Sequence, residues 1–322
     1  MSGHNGNYAF HSFDAMGTRV NFWIDNAAGS RSALALRSGE TFMRDFDRRL
    51  SRFNPESELC RLNADPAETV EISTLMLRFL EAAIEAARSS DGLVDPTLTE
   101  AVERAGYCES RAGLSGAPLE DVLACAPEAA PASPGRAARW RSIVLDPQAH
   151  TVTRPVGLRI DSGGSGKGLA ADLLAGIWRG LLPAGTGFIV DCGGDIRLGE
   201  IASSEAPYSI RIETTPTLPE PIDLQLWGGG LTTSGIGKRV WQSADGYAHH
   251  LIDPATGRPA WTGVLSATAI APTALRAETL AKRALLGGPA AAEQLLGVGG
   301  GLIVEADGQP RIFETNRTET LA

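Results

Sequence analysis

Leu158-Arg159-Ile160-Asp161-Ser162-Gly163-Gly164-Ser165-Gly166-Lys167-Gly168, followed by Leu169 to Leu182, decides how this chain is read. Leu158 to Asp161 is short and apolar enough for a strand, and Leu169 to Leu182 has the spacing of a helix. Between them lies a glycine-rich loop that allows close backbone approach and ends at a helix start with unpaired N–H groups, a place for an anion. Lys167 adds a point charge. The spacing is not that of a P-loop, because Gly168 rather than Ser or Thr follows the lysine. For an isolated loop of this kind, a tight turn serving helix packing is an equally good reading.

Working towards the N-terminus, Tyr8 to Asn26 reads as strand interrupted at Ala15-Met16-Gly17-Thr18, and Ser32 to Leu50 as an amphipathic helix. Ser51-Arg52-Phe53-Asn54-Pro55 turns the chain. Ser57 is placed to cap a short helix through Asn63, and Ser73 to cap a helix from Thr74 to Ser89 that Gly92 stops. Ser110 to Arg139 is rich in Ala, Pro and Gly; it predicts one short helix, Pro118 to Cys125, and a surface loop. Trp140 to Thr153 predicts a hairpin turned at Asp146-Pro147.

Towards the C-terminus, Gly187 to Asp191 predicts a strand ending in Cys192-Gly193-Gly194-Asp195. Two acidic residues around two glycines suit a ligand hydroxyl, an amine or a metal, and equally a plain β-turn. Strands are expected at Tyr208 to Glu213 and Ile222 to Leu226, a loop at Thr232-Thr233-Ser234-Gly235, a helix from Ala274 to Leu286, and a closing hairpin (Gly301 to Glu305, Arg311 to Glu314). His249 and His250 are adjacent on a strand and so point to opposite faces, which lets one of them at most face a given site. Lys238 and Arg239 offer cations nearby. Glu278 and Lys282 are four apart on one helix face, the spacing of a surface ion pair.

The chain has 322 residues, 43% apolar and 21% charged, with 29 basic against 38 acidic residues for a net charge of −9. That balance excludes a general nucleic-acid or anionic-membrane binder. A phosphate ligand must therefore be held locally. Cys60, Cys108, Cys125 and Cys192 are scattered without a CxxC pair, which argues against a zinc or iron–sulfur site and against a disulfide framework. Met1 to His11 is polar without an apolar h-region, and no run of about 18 apolar residues occurs. Neither a signal peptide nor membrane insertion is expected, and the cytoplasm is the expected compartment.

The order of the segments is more specific than any one of them. Ala15 to Thr18, Ser51 to Leu59 with Leu62-Asn63, Gly92-Leu93-Val94-Asp95-Pro96-Thr97, Asp161 to Gly168, Gly193 to Ile196, Thr233 to Gly235, His249 to Pro259 and Ala271 to Ala274 run in the same order as in the ApbE family of FAD:protein FMN transferases. The chain resembles that family from about Phe13 to Phe313.

The resemblance implies an α+β fold of two intertwined lobes related to the tunnelling fold, with FAD in a cleft between them. It implies a single domain, 1–322, with a surface insertion at about 110–139. Met16 and Phe53, where the family often has Tyr, would line the flavin or adenine pocket. Lys167 and the loop before it would lie at the diphosphate, with the Gly164 carbonyl on Mg²⁺; Asp95 and Asp161 would be cofactor-binding, with Asp161 a carboxylate able to compensate as a metal ligand. Asp195, Thr233, Ser234 and Gly235 match nucleotide-contacting segments, and His250 and Asp253 match the core beside the reacting phosphate. Lys167, His250 and Asp253 are the catalytic candidates, the last two as proton acceptors.

One segment departs from the pattern. Where the family typically reads Ala-Asp-Ala-Leu-Ala-Thr, with Asp and Thr as Mg²⁺ ligands, this chain has Ala277-Glu278-Thr279-Leu280-Ala281-Lys282. Glu278 keeps a carboxylate; Lys282 cannot ligate a metal. It either pairs with Glu278 or replaces part of the metal's charge. The function implied is transfer of FMN from FAD to a Ser or Thr hydroxyl of an acceptor redox protein. A Mg²⁺-dependent FAD pyrophosphatase and a non-catalytic FAD-binding protein remain as alternatives.

Overall fold

The structure is a computed structural model; residues 8–111, 113–201, 206–213, 218, 220–243 and 246–314 are described. Its frame is one sheet of eight strands whose spatial order is the order of the sequence: β1 (Tyr8–Ala15), β2 (Thr18–Asp25), β3 (Phe188–Cys192), β4 (Asp195–Leu198), β5 (Gly229–Gly235), β6 (Val264–Ala271), β7 (Gly301–Glu305) and β8 (Pro310–Phe313). Every neighbouring pair is antiparallel. The helices and small hairpins are excursions from this meander. Between β2 and β3 come α1 (Ser30–Leu50), α2 (Glu58–Ala64), α3 (Thr74–Ser89), α4 (Thr99–Arg104), α5 (Leu119–Ala124) and α6 (Gly166–Leu181), and between β6 and β7 comes α7 (Ala274–Gly299).

Period-two alternation decides what each face buries. Val20, Phe22 and Ile24 of β2, with Phe188 and Val190 of β3, join the core formed with α1, α3 and α6. Trp23 and Ile189, one residue along, pack on the opposite face with Tyr208 and Ile210 of the hairpin Tyr208–Ile212/Ile222–Leu226. A second apolar cluster joins Ala267 and Ala269 of β6 and Ile303 of β7 to Ala281, Leu285 and Leu296 of α7. The 110–139 segment lies over this cluster: Leu119, Leu123 and Ala132 pack on it, and the Ala130 and Ala132 amides donate to the Trp261 and Leu286 carbonyls at 2.8 Å.

Ser57 and Ser73 cap α2 and α3 as expected, accepting from the Cys60 and Met76 amides. Four elements differ from the sequence reading. Leu158 to Asp161 forms no strand, because the Asn63 side chain takes the place of a partner strand: its Oδ1 accepts from the Ile160 amide and its Nδ2 donates to the Ile160 carbonyl, both at 2.8 Å. Thr232 to Gly235 is a strand in the middle of the sheet rather than a loop. Trp140 opens a short 3₁₀ turn, Arg139–Ser142, and the hairpin is confined to Val144–Asp146 and Thr151–Thr153. The helix from Ala274 does break after Leu286, at Gly288 with φ 78°, but helical turns resume at Pro289 and run to Gly299. Proline suits the first turn of that second segment, which has no intrahelical acceptor for its N–H anyway.

α1 packs close to the sheet and α6 through Gly39, where an added Cβ would stand 2.8 Å from the Phe22 ring and 2.9 Å from the Trp178 ring. Alanine would gain ~0.5–1 kcal/mol in helix propensity but lose about 1–3 kcal/mol to overpacking. Gly39→Ala is therefore expected to lower the urea midpoint of unfolding, against the direction that helix propensity alone predicts.

Candidate functional site

A cleft of about 280 Å³ opens between the two apolar clusters. Its wall is contributed by the β1–β2 turn (Met16, Gly17), the end of α1 with Ser51 to Phe53, Leu93 to Pro96, Tyr107, the loop Asp161 to Gly164, the start of α6, and Arg239, His250 and Lys282. Each of these pieces is held by an identifiable bond. Met16 sits at φ 53° and its amide donates to Asp47 Oδ2 at 2.8 Å. Arg52 ties the opposite wall together: its guanidinium lies 4.2 Å from the Phe53 ring centroid and 4.6 Å from that of Tyr107, donates to the Tyr107 carbonyl at 2.7 Å, and pairs with Asp161 at 3.1 Å. Asp161 also accepts from the Gly163 amide at 2.6 Å, which fixes the glycine loop. Asp95 accepts from the Thr97 amide and hydroxyl, and burial pushes its carboxyl up.

The helix α6 begins at this wall, and its first turn is shared with α7. The Gly168 amide donates to Glu278 Oε2 at 2.9 Å. Gly168 has no room for a side chain, since a Cβ would lie 2.8 Å from the Ala274 carbonyl and from Glu278. One turn further on, Asp172 accepts from the Ala274 and Leu275 amides at 2.9 Å, a carboxylate placed at the positive end of α7. Lys167 pairs with Asp195, and Lys282 Nζ donates to Glu278 Oε1 at 2.7 Å. Burial works against charge on Lys167, but Asp195 and then Glu278 outweigh it and raise its pKa. Burial raises the Glu278 carboxyl, with Lys282 opposing.

The two histidines divide between the cleft and the interior, although the strand Gly246–His249 ends before His250, which sits in a bend. His250 lines the cleft; His249 is buried behind it, its ring 4.8 Å from Trp261 and its Nδ1 accepting from the Leu251 amide at 3.3 Å. Burial first, then Arg239, His249 and Lys282, hold His250 well below the usual histidine range, so the imidazole is neutral near pH 7. Its Nδ1 is buried and has no hydrogen-bond partner among the described residues.

Met16, Phe53, Asp95, Asp161, Gly164, Lys167, His250 and Lys282 therefore meet at one cleft. Asp195, Thr233, Ser234, Gly235, Asp253 and Glu278 are not among its lining residues. Asp195 stands behind Lys167; Thr233 bonds the Thr268 hydroxyl at 2.8 Å across β5 and β6; Gly235 packs on Ser266. Asp253 is a loop fastener, its Oδ1 accepting from the Ser133 and Ala255 amides at 2.9 and 3.1 Å. Gly193-Gly194 is the β3–β4 turn, with φ of 70° and 97°, and Asp191 accepts from the Gly194 amide. The acidic pair around those glycines has a structural task. Glu278 and Lys282 do pair, but in the interior beneath the cleft rather than on the surface.

The donors around Glu278 do not suit the Mg²⁺ that the resemblance implies. Magnesium takes six oxygen ligands in near-octahedral geometry, including carboxylates. Here one Glu278 oxygen is occupied by an ammonium and the other by an amide, and Asp195 is paired with a second ammonium. Among the described residues, no group of three His, Cys, Asp or Glu side chains is disposed to hold a metal.

Asp47, Arg52 and Tyr107 are site residues that the sequence reading did not single out; Arg239, noted there only as a nearby cation, lines the cleft. Arg52 stands beside Phe53 and could have been suspected as a cation near a ring. Tyr107 carries no local signal: it is delivered by the end of α4 and wedged against Trp241, whose Nε1 donates to the Ala105 carbonyl at 2.9 Å.

Known proteins resemble the chain throughout. The ApbE family model matches residues 16–302. The FAD:protein FMN transferase of Salmonella typhimurium is 27% identical over 240 residues, 71% of this chain and 64% of that protein, so the chain spans just under two thirds of that relative. The Escherichia coli K12 protein of the same name is 25% identical over 295 residues, 87% of this chain and 79% of that one. Among solved structures, the ApbE protein of Thermotoga maritima superposes with a TM-score of 0.77 at 24% identity, over 96% of this chain and 97% of the other. The flavin transferase ApbE of Vibrio cholerae gives 0.73 at 21%, over 97% and 98%. These likenesses show the α+β fold. No helix among the described residues is long and apolar enough to cross a membrane.

His249 gives this site a stability signature. Burial lowers its pKa from 6.5 to about 4. The unfolded chain thus binds a proton that the folded chain does not throughout that window, and stability falls as pH drops from 6.5 towards 4, by up to ~3 kcal/mol for this group. His249→Phe is expected to flatten that stretch of the curve of unfolding free energy against pH, measured by denaturant titration.

Proposed function

We infer that this chain, which belongs to the ApbE family, transfers FMN from FAD to a protein, as its relatives are named for doing, with a hydroxyl group of the acceptor protein as the receiving atom and AMP as the product released. One observation carries the reading. The cleft brings a neutral imidazole, its Nδ1 without a hydrogen-bond partner among the described residues, to the same wall as a helix N-terminus and the cations Lys167, Arg239 and Lys282. That combination suits attack on a diphosphate, in which negative charge must be stabilised while a hydroxyl loses its proton.

The whole chain, 1–322, acts as one unit, and the cleft is the space between two lobes built on the two apolar clusters. The diphosphate of FAD lies against Ser162 to Gly166 and the three cations. The aromatic wall of Phe53 and Tyr107, stiffened by Arg52, offers stacking to a flavin or adenine ring. A Ser or Thr hydroxyl of the acceptor attacks the FMN-side phosphorus. A new O–P bond forms, the bridging P–O bond breaks, AMP departs with the electron pair, and His250 takes the hydroxyl proton. Asp253 is a positioning residue: it fastens the loop after Ile252 to Ser133. The acceptor is a redox protein carrying a Ser or Thr flavinylation motif, met in the cytoplasm.

Incubating the purified protein with FAD and such an acceptor should add the mass of one FMN to the acceptor and release AMP. Free FMN without the adduct would assign the chain to FAD hydrolysis instead; FAD bound and left intact would make it a flavin-binding protein. His250→Gln should lower kcat by about 10²- to 10³-fold, the scale of a lost general base, with FAD binding retained. The acid limb of the wild-type profile should lie below pH 6.5, because burial and the neighbouring cations keep His250 neutral there. An unchanged rate in the variant would remove His250 from the proton transfer.

A further inference from the structure

Lys282 is a lysine in a place where lysines are rarely found. It is 9% exposed, stands on the inward face of α7, and still lines the cleft. A buried ammonium is costly to desolvate, and a buried ion pair is often no more stabilising than apolar residues of the same volume. Stability is thus a poor reason for the pair Lys282–Glu278. Its geometry suggests another. Glu278 is completely buried and is itself fixed by the Gly168 amide of α6, so it holds the ammonium in one position at the helix start. Glu278 is the only hydrogen-bond partner of Lys282 among the described residues, and an ammonium has three N–H donors. The donors left over are at the cleft wall, alongside Lys167, Arg239 and the glycine loop.

We propose that the Lys282 ammonium is a resident cation for the diphosphate of FAD, held by Glu278 in place of a divalent metal, so that this chain binds FAD without Mg²⁺. The proposal rests on the reading of the cleft as an FAD site and adds the means by which the diphosphate is neutralised. The neighbouring charges are consistent with it. Lys167–Asp195 and Lys282–Glu278 form a largely buried array of two ammonium and two carboxylate groups, with Lys167 half-buried, that balances itself before any ligand enters. Arg239 adds positive charge at the same wall. An added Mg²⁺ would meet an ammonium where it needs an oxygen.

The test titrates the full chain with FAD, followed by flavin fluorescence, and with inorganic pyrophosphate, followed by calorimetry, each in EDTA and in excess Mg²⁺. Mn²⁺ binding is read by electron paramagnetic resonance. The wild type should bind FAD with the same Kd in EDTA and in Mg²⁺, and should bind Mn²⁺ no more tightly with FAD present than FAD alone does. Lys282→Met should weaken both ligands about 10- to 100-fold in either medium, the scale of a lost charged hydrogen bond. Because that variant strands a buried carboxylate, the double variant Glu278→Gln/Lys282→Met supplies the same comparison with the charge balance kept. Wild-type FAD binding that collapses in EDTA and returns with Mg²⁺ would overturn the proposal, as would undiminished FAD affinity in both variants. If the wild type bound no FAD in either medium, the transferase reading would fall. Pyrophosphate would then decide the cation site alone, supporting it if binding is lost in the double variant and overturning it otherwise.

Discussion

The contact between the first turn of α6 and the first turns of α7 holds the rest of this molecule in place. It is made from both sides: the Gly168 amide reaches Glu278 on α7, and the Ala274 and Leu275 amides reach Asp172 on α6. Helix starts carry unpaired N–H groups, and here each helix supplies the acceptor for the other. The approach is close enough that only glycine fits at 168. α6 belongs to the core over β1 to β3, and α7 to the core over β6 and β7. The clasp thus joins the two halves of the sheet and sets the distance between the walls of the cleft.

Charge at the cleft follows from that clasp. A chain of net charge −9 has to make a local place for a polyanion, and it does so with pairs rather than with a basic patch. Lys167 leans on Asp195, which with Glu278 raises its pKa against the effect of burial, and Lys282 donates to Glu278. Burial first, then Arg239, His249 and Lys282, keep His250 neutral. An array that would be repulsive among cations alone becomes tolerable because its carboxylates lie behind the wall and its donors in front.

The second wall is fixed by aromatic and guanidinium contacts. Arg52 spends its planar surface on Phe53 and Tyr107 and its N–H groups on Asp161 and the Tyr107 carbonyl. Loops far apart in sequence, around residues 52, 107 and 161, become one surface through a single side chain. Lysine could not do this, since it has neither a flat face nor a forked donor set.

Local signals in the sequence determined much of this. The Ser57 and Ser73 caps, the helices from Ser30 to Leu50 and Thr74 to Ser89, and the turn glycines 193 and 194 depend on neighbours within a few residues. The split between His249 and His250 was expected from strand alternation, and it holds although the strand Gly246–His249 ends before His250. The order of the motifs brought Met16, Phe53, Asp95, Asp161, Lys167 and His250 to notice, and these do meet at the cleft. Contacts across the fold decided the remainder. Asn63 replaces a strand partner for Ile160 across 97 residues, and no local pattern announces that. Thr232 to Gly235 looked like a loop because small polar residues carry little strand signal; it is a strand because β6 pairs with it throughout and β4 pairs with it at Thr232. Spacing could show that Glu278 and Lys282 share a helix face, but whether that face meets water or the start of another helix is a property of tertiary packing. That difference turns an ordinary surface ion pair into the buried floor of the site.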